Sequence, residues 1–390
     1  MKYCFQVLIS ILMCTQAHAQ NMTIINAHII DGNGTNIENG TIVIEDGLIV
    51  SVSDSTTFIT GENVIDARNR TILPGYIDGH RHIIGRNIER WFDEESEIRM
   101  QEFLEAGFTT LMSGGGPVPG IIELKRRIEA REIIGPRIIT SGRVDPQNFV
   151  TAESARAEVN KMAEAGVEII KVRMNVPEEK ALVTEIVKEA EKHGLDVMVH
   201  ASSSPATMVA AVETGAGKLV HTPHGGYIND EQAKMVADAG IENLTTAGFA
   251  VPTFGAFNDD NIPTFRDGNP WPEGILEGGY AAAGEKVVNA RTLWDNGVVL
   301  GFGTDTGYNP RDGLKHELRT LNLMFSERDI IKLMGPNTAA FLEMEDKLGS
   351  ISEGQIADLV LVDGDPLDII FNLLNVSVVI KGGEIVVDKR

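Results

Sequence analysis

Leu73-Pro-Gly-Tyr-Ile-Asp-Gly-His80-Arg-His82 is a short apolar strand that runs into two histidines one residue apart. Side chains alternate between the faces of a strand, so His80 and His82 point the same way. Two imidazoles on one face at a strand end can clamp a single metal ion. A chance pair at a strand end reads identically, so the decision rests on what the later strands end in.

The text changes character at this stretch. Upstream, Thr23-Ile-Ile-Asn-Ala-His-Ile-Ile30, Gly40-Thr-Ile-Val-Ile44, Leu48-Ile-Val-Ser-Val52 and Asn63-Val-Ile-Asp66 are short β-branched runs separated by turn residues. Downstream, short apolar strands alternate with amphipathic helical stretches. The strands are expected at residues 76–82, 108–113, 136–141, 168–174, 196–201, 218–222, 242–246 and 298–304, with helix-like runs such as 153–165, 177–193 and 230–239 between them. Eight such alternations predict an α/β fold, a (β/α)8 TIM barrel. A doubly wound open sheet is the second choice, but no strand leads into a G-x-G-x-x-G turn. Residues 376–380 and 384–387 close the chain as strands. They are expected to join the N-terminal ones in a small β-sandwich domain made of residues 20–73 and 346–390, with the barrel at 74–345.

Barrel chemistry gathers at the C-terminal ends of the strands. Strand one ends in His80 and His82. Strand four, Glu168-Ile-Ile-Lys171-Val-Arg-Met, holds a lysine inside an apolar run. Strands five and six end in His200 and His221, and strand eight, Gly301-Phe-Gly-Thr-Asp305, ends in aspartate. Any one of these has an ordinary explanation as a cap, a core histidine or a buried ion pair; their coincidence at matching strand ends points to a metal site. An ammonium cannot bind a cation, but burial lowers a lysine pKa and leaves neutral amine. That amine can add carbon dioxide to give a carbamate, an anionic ligand with two oxygens.

The first residues read as a leader. Lys2 is followed by the apolar run 5–13 and by Ala17-His-Ala19, which predicts a secretory signal peptide at 1–19 cut after Ala19, and hence a secreted or periplasmic protein. Both cysteines, Cys4 and Cys14, lie inside it; bulky Met13 argues against lipidation of Cys14. No thiolate is left to bind metal, so any ion is held by nitrogen and oxygen. No later apolar run is long enough for a membrane span. With 56 acidic against 34 basic residues and a formal charge of −22, nucleic acid is not an expected partner. The expected partner is a small-molecule substrate, with assembly into a homo-oligomer left open.

Pro74-Gly-x-Ile-Asp-x-His-x-His, the strand-four lysine, the two single histidines, Gly303-Thr-Asp305-Thr and Gly354-x-x-Ala357-Asp-Leu together resemble the amidohydrolase superfamily, and most of all its imidazolonepropionase-like and dipeptidase-like branch. The resemblance covers nearly all of the chain after the leader. It implies a binuclear centre in which His80, His82 and Asp305 hold the first metal, His200 and His221 the second, and carbamylated Lys171 and a hydroxide bridge them. Two such ions can lower the pKa of a shared water and polarise a carbonyl. Asp305 would take the proton during attack and pass it to the leaving amine. Nitrogen and oxygen ligands suit zinc, with manganese, cobalt or iron as alternatives.

The resemblance thins at the rim. Dipeptidase-like relatives usually carry Gly-Gly-His after strand three; here the text is Ser141-Gly-Arg-Val-Asp-Pro-Gln-Asn148, which puts a dipeptide substrate in doubt. Thr222-Pro-His224-Gly-Gly-Tyr227 replaces the commoner Glu-His-Gly, leaving His224 and Tyr227 as substrate-contact candidates, with a loop role as the alternative for His224. Arg173 should share the inward face of Lys171 and could grip a substrate carboxylate or pair with an acidic side chain. Gly114-Gly-Gly116 could cradle an anion or simply turn the chain. Residues 253–279 are expected to form a lid. The expected activity is metal-dependent hydrolysis of an amide in a cyclic, N-acyl or dipeptide-like substrate. The alternatives are a lactonase or other ester hydrolase using the same centre, and a non-catalytic barrel scaffold, from which ligands should have been lost.

Overall fold

The computed structural model describes residues 21–54, 63–248, 281–306 and 309–390. The expected leader and the expected lid at 253–279 lie outside the described residues.

Both ends of the chain contribute to one eight-stranded sheet. From one edge it runs Glu384–Asp388, Val376–Lys381, Leu359–Val362, Thr71–Pro74, Met22–Ile30, Asn36–Glu45 and Leu48–Ser53, with Val64–Asp66 also paired to Met22–Ile30. A sandwich implies two stacked sheets, and here all eight strands are hydrogen-bonded into one. The reason is the long strand Met22–Ile30. Its first half pairs with Val64–Asp66 through Thr23–Ile25, its second with Thr71–Pro74 through His28 and Ile29. Between the halves Asn26 takes a left-handed φ of 56° and the register shifts. Asparagine tolerates that conformation better than most residues, and its side-chain amide donates to Asp66 Oδ1 at 3.0 Å. The kinked sheet folds over a core of Ile24, Ile29, Ile42, Ile44, Ile72, Leu359, Leu361, Val378 and Ile380, all buried. Ile72→Ala at the centre of that core would cost about 2–5 kcal/mol.

Two parallel sheets make up the rest. One is Tyr76–Arg81, Phe108–Ser113 and Arg137–Ile139; the other is Ser141–Arg143, Ile169–Arg173, Asp196–His200, Lys218–Val220, Glu242–Leu244 and Leu300–Gly301. Several expected strands are shorter than their apolar text, and in the third and the eighth side chains are the cause. The third is interrupted at Thr140, whose N–H and hydroxyl both donate to Glu168 Oε2. The eighth stops at Gly301 because Phe302 N–H goes to Thr338 Oγ1 at 2.7 Å and Thr304 N–H to Asp78 Oδ1 at 3.0 Å.

Strand alternation sorts the side chains. Ile170, Val172, Val197 and Val199 pack outward against helices such as Lys180–Glu191, which buries Val183, Ile186 and Ala190 on one stripe. Ile169 and Met198 point the other way, into a second core with Ile77, Met112, Val220, Leu244 and a plug of Ala339, Phe341 and Leu348. Lys171 and His200 share the face of Ile169 and Met198, two residues further along. The parallel sheets therefore have an apolar floor and a polar mouth. No helix among the described residues is long and apolar enough to cross a membrane.

Candidate metal centre

Asp78, buried in the first parallel strand, sets the geometry. Its Oδ1 accepts the N–H groups of His80 (3.1 Å) and Thr304 (3.0 Å), and its Oδ2 accepts the Thr304 hydroxyl at 2.6 Å. Asp305 N–H then donates to the His80 carbonyl at 2.8 Å. Segments more than two hundred residues apart are tied together there, and Asp305 is delivered beside the paired histidines.

Three imidazoles surround its carboxylate. His80 Nε2 lies 3.4 Å and His82 Nε2 3.2 Å from Asp305 Oδ1, and His221 Nε2 lies 3.5 Å from Oδ2. The ligand atoms of His80, His221 and Asp305 all fall within 4.8 Å of one another. The His200 ring meets His221 edge-on, with centroids 4.4 Å apart. His82 Nδ1 faces the Gly115 carbonyl at 2.7 Å, so it must donate, which leaves Nε2 free to bind a cation. His221 Nδ1 is held by Thr246 Oγ1, which fixes the ring. The strand ends at Arg81, and the two histidines differ in setting: His80 is buried, His82 exposed. Gly114 explains the fit of His80, because a Cβ there would lie 2.4 Å from the ring. Gly114 is thus a space requirement, while Gly115, with φ of 123°, turns the chain.

The backbone is strained at the same place. His221, Thr246 and Asp305 have φ of 60°, 39° and 44°. For β-branched Thr246 this is an outlier that its surroundings must enforce. They do so through buried Glu317, whose two oxygens accept the N–H groups of Ala247 and Gly248, both at 2.6 Å, while Thr245 Oγ1 donates at 3.2 Å.

Charge follows burial. Desolvation, reinforced by Lys171, lowers His80 to about 4 and His200 to about 2, and pushes His221 well down, so the buried imidazoles are neutral and able to bind metal. Burial alone would raise Asp305, but the imidazoles of His80, His82 and His221 outweigh it and keep the carboxylate ionised. His82 is raised, chiefly by its contact with Asp305. Lys171 is buried, its Nζ has no hydrogen-bond partner among the described residues, and desolvation lowers it to about 7. An unpartnered buried amine that is half neutral at pH 7 fits conversion to a carbamate. Neutral imidazoles, an ionised carboxylate and an orphan amine together fit divalent cations.

The weaker candidates make no hydrogen bond to this group among the described residues. Arg173 is exposed at the strand end, with Nε on Asn175 Oδ1 at 3.0 Å. Its Nε meets an amide, and no acidic side chain pairs with its guanidinium among the described residues. His224 is pinned through N–H and Nδ1 to the Ser202 carbonyl, a loop contact. Tyr227 is 56% exposed, and no contact joins either residue to the ligand set. Asp78, Thr246 and Glu317 were not singled out by sequence. Asp78 carried a signal, an acid two residues before His80 in an apolar strand; the others carried none beyond their residue type.

Comparison with known proteins gives the family and the fold. The model of the family described as "Amidohydrolase family" matches residues 71–386. The imidazolonepropionase of Caldanaerobacter subterraneus subsp. tengcongensis is 23% identical, covering 90% of this chain and 91% of its own. That of Geobacillus kaustophilus is 24% identical over 90% and 91%. Among solved structures, a putative prolidase from Bifidobacterium longum superimposes with a TM-score of 0.77 at 24% identity, covering 96% of this chain and 97% of its own. A Xaa-Pro dipeptidase with bound methionine gives 0.74 at 24% identity, over 94% and 99%.

Proposed function

The chain belongs to the amidohydrolase family and is a hydrolase of carbon–nitrogen bonds, and from that premise we propose that it cleaves the amide of a small cyclic, N-acyl or dipeptide-like compound at the centre of His80, His82, Lys171, His200, His221 and Asp305. One observation carries the reading: neutral imidazoles gather round one ionised carboxylate beside a buried, partnerless amine. In this reading His80, His82 and Asp305 would hold one divalent ion, most simply zinc, His200 and His221 would hold a second, and a Lys171 carbamate would serve as a further anionic ligand. When bound, the ions supply an acidified water and a polarised carbonyl.

The residues of the chain do the rest. Asp305, kept anionic by its histidines, takes the proton of the attacking water and returns it to the departing nitrogen. Thr246 and Gly115 fix His221 and His82 with their Nε2 atoms facing the carboxylate. Asp78 keeps His80 and Asp305 in register.

The same reading takes the parallel sheets as one closed eight-stranded barrel at 74–345. The hydrogen bonds Gly79 N–H to Phe302 O at 3.0 Å and Asp305 N–H to His80 O support it by bringing the last strand beside the first. Residues 20–73 and 346–390 form the smaller domain, and residues 1–19 are a leader removed on export, which the N-terminal sequence of the exported protein would test.

The function is tested by metal analysis and by initial rates on matched panels of cyclic amides, N-acyl amines, N-acyl amino acids and lactones. About two ions per chain and turnover of amides are expected, both lost in Lys171→Ala. Full activity in that variant, or hydrolysis of lactones alone, would overturn the reading.

A further inference from the structure

Two guanidinium groups stand at the rim of the candidate centre. In the parallel register Arg143 is opposite Lys171, and Arg173 is opposite His200. Register partners present their side chains to the same face, as do residues two apart on one strand. Arg143 and Arg173 therefore belong to the face that carries Lys171 and His200.

Each is held by one nitrogen only. Arg143 Nε donates to Asp145 Oδ2 at 2.5 Å, and Arg173 Nε to Asn175 Oδ1 at 3.0 Å. Asp145, itself buried, accepts the Arg173 N–H on its other oxygen at 2.9 Å, so one carboxylate sets both residues. The terminal Nη atoms of both arginines make no hydrogen bond among the described residues. Elsewhere this acidic surface readily occupies such groups: Arg126 spends all three nitrogens on Glu123 and Glu132.

The Arg143 side chain is 43% exposed. It also reaches the centre. A Cβ on Gly115 would lie 3.6 Å from Arg143 Cδ and 3.8 Å from His82 Cε1, so arginine and ligand histidine flank the same glycine.

A guanidinium tethered at Nε, with its Nη pair open, offers the fork that carboxylates accept. We propose that Arg143 and Arg173 form a carboxylate clamp at the mouth, and that the substrate is an amide bearing a carboxylate within a few bonds of the scissile C–N bond, such as an N-acyl amino acid. This rests on the function proposed above and narrows its substrate class.

The test uses the metal-loaded enzyme and two substrates, N-acetyl-phenylalanine and N-acetyl-phenethylamine, which differ by the carboxylate. The wild type should favour the acid in kcat/KM. In Arg143→Gln and Arg173→Gln the ratio of the two kcat/KM values should fall about 10- to 100-fold, the weight of one charge-assisted contact. Arg143→Lys, a point charge without the fork, should restore only part of it. A merely structural role would reduce both substrates together and leave the ratio unchanged, which would overturn the clamp. So would a wild type that prefers the neutral amide. If neither amide turns over, the proposed function fails on its own. Calorimetric binding of N-acetyl-phenylalanine, compared between wild type and Arg143→Gln, then decides the clamp: weaker binding in the variant upholds it, and equal binding overturns it.

Discussion

Two lysines, Lys171 and Lys218, sit near opposite ends of the same set of parallel strands, both buried, and they differ in almost everything that follows. Lys218, at the floor, is met by Asp196 and, at 3.0 Å, by Glu343. Burial alone would lower it, but Asp196 and then Glu343 raise it instead. Lys171, toward the mouth, has no hydrogen-bond partner among the described residues and is lowered. Burial supplies the desolvation in both cases, and the partner decides whether the amine stays a cation or becomes a base. The floor repeats the pairing elsewhere, with Lys125 on Glu168 and Arg137 on Asp358, both at 2.7 Å. A cleft of about 880 Å³ opens among those pairs, yet the cluster of metal-ligating side chains among the described residues is at the other end. Volume marks the floor and unsatisfied chemistry marks the mouth, and we place the function by the chemistry.

The comparison breaks most easily by exchanging the two lysines for alanine. Lys171→Ala should lower kcat/KM by more than about 100-fold, since even residues that only orient metal ligands cost about 10- to 100-fold. Lys218→Ala should leave kcat/KM within about threefold and act on stability instead. It strands Asp196 and Glu343, which keep partial access to water, for an expected loss of about 1–3 kcal/mol by urea unfolding. Equal effects of the two on turnover would remove the distinction.

Thr246→Val comes next. It keeps the shape and removes the hydroxyl that holds His221 Nδ1, so metal affinity should fall about 10- to 100-fold. Thr246→Ser should keep most of it. Titration with a competing chelator measures both.

The pH dependence of the metal-free protein sharpens the contrast. Lys171 titrates at about 7 in the fold and near 10.5 when unfolded. Between those values the unfolded chain holds a proton that the folded one lacks, so stability rises with pH and is lost as pH falls toward 7. From pH 8 to pH 9.5 this adds about 2 kcal/mol relative to Lys171→Met. For Lys218 the sign is opposite. Its raised pKa gives stability that is full below about 10.5 and is lost as pH climbs through the folded value. Urea midpoints across this range, compared with those of Lys171→Met, would expose a wrong sign. The smallest effect is expected from Glu343→Gln. Glu343 is 71% exposed, and the change should stay within about 0.5 kcal/mol.

The six metal-ligand candidates were readable because each interrupts or ends an apolar run, and the strand period fixes which face they share. The rim was less readable. His224 and Tyr227 follow a strand end closely in sequence, but a loop contact and open solvent claim them. The length of the eighth strand was hidden because its ladder is replaced by hydrogen bonds to Asp78 and Thr338, residues that only the folded chain brings near. Thr246 and Glu317 were illegible for the same reason. Their roles are hydrogen bonds across 25 and about 70 positions of sequence, and neither residue type advertises them. The kink at Asn26, which turned an expected sandwich into one folded sheet, is a single residue's φ.

The sheet that joins the two chain ends also sets an order of events. Thr71–Pro74 pairs with Leu359–Val362, and Thr71 Oγ1 donates to the Gly364 carbonyl 293 positions later. A ribosome adding about 5–20 residues per second needs on the order of tens of seconds to cross that interval. Throughout it, the strand leading directly into His80 has one open edge and nothing to close it. The neighbour that completes that sheet, Leu359–Val362, is made only after every strand of the two parallel sheets.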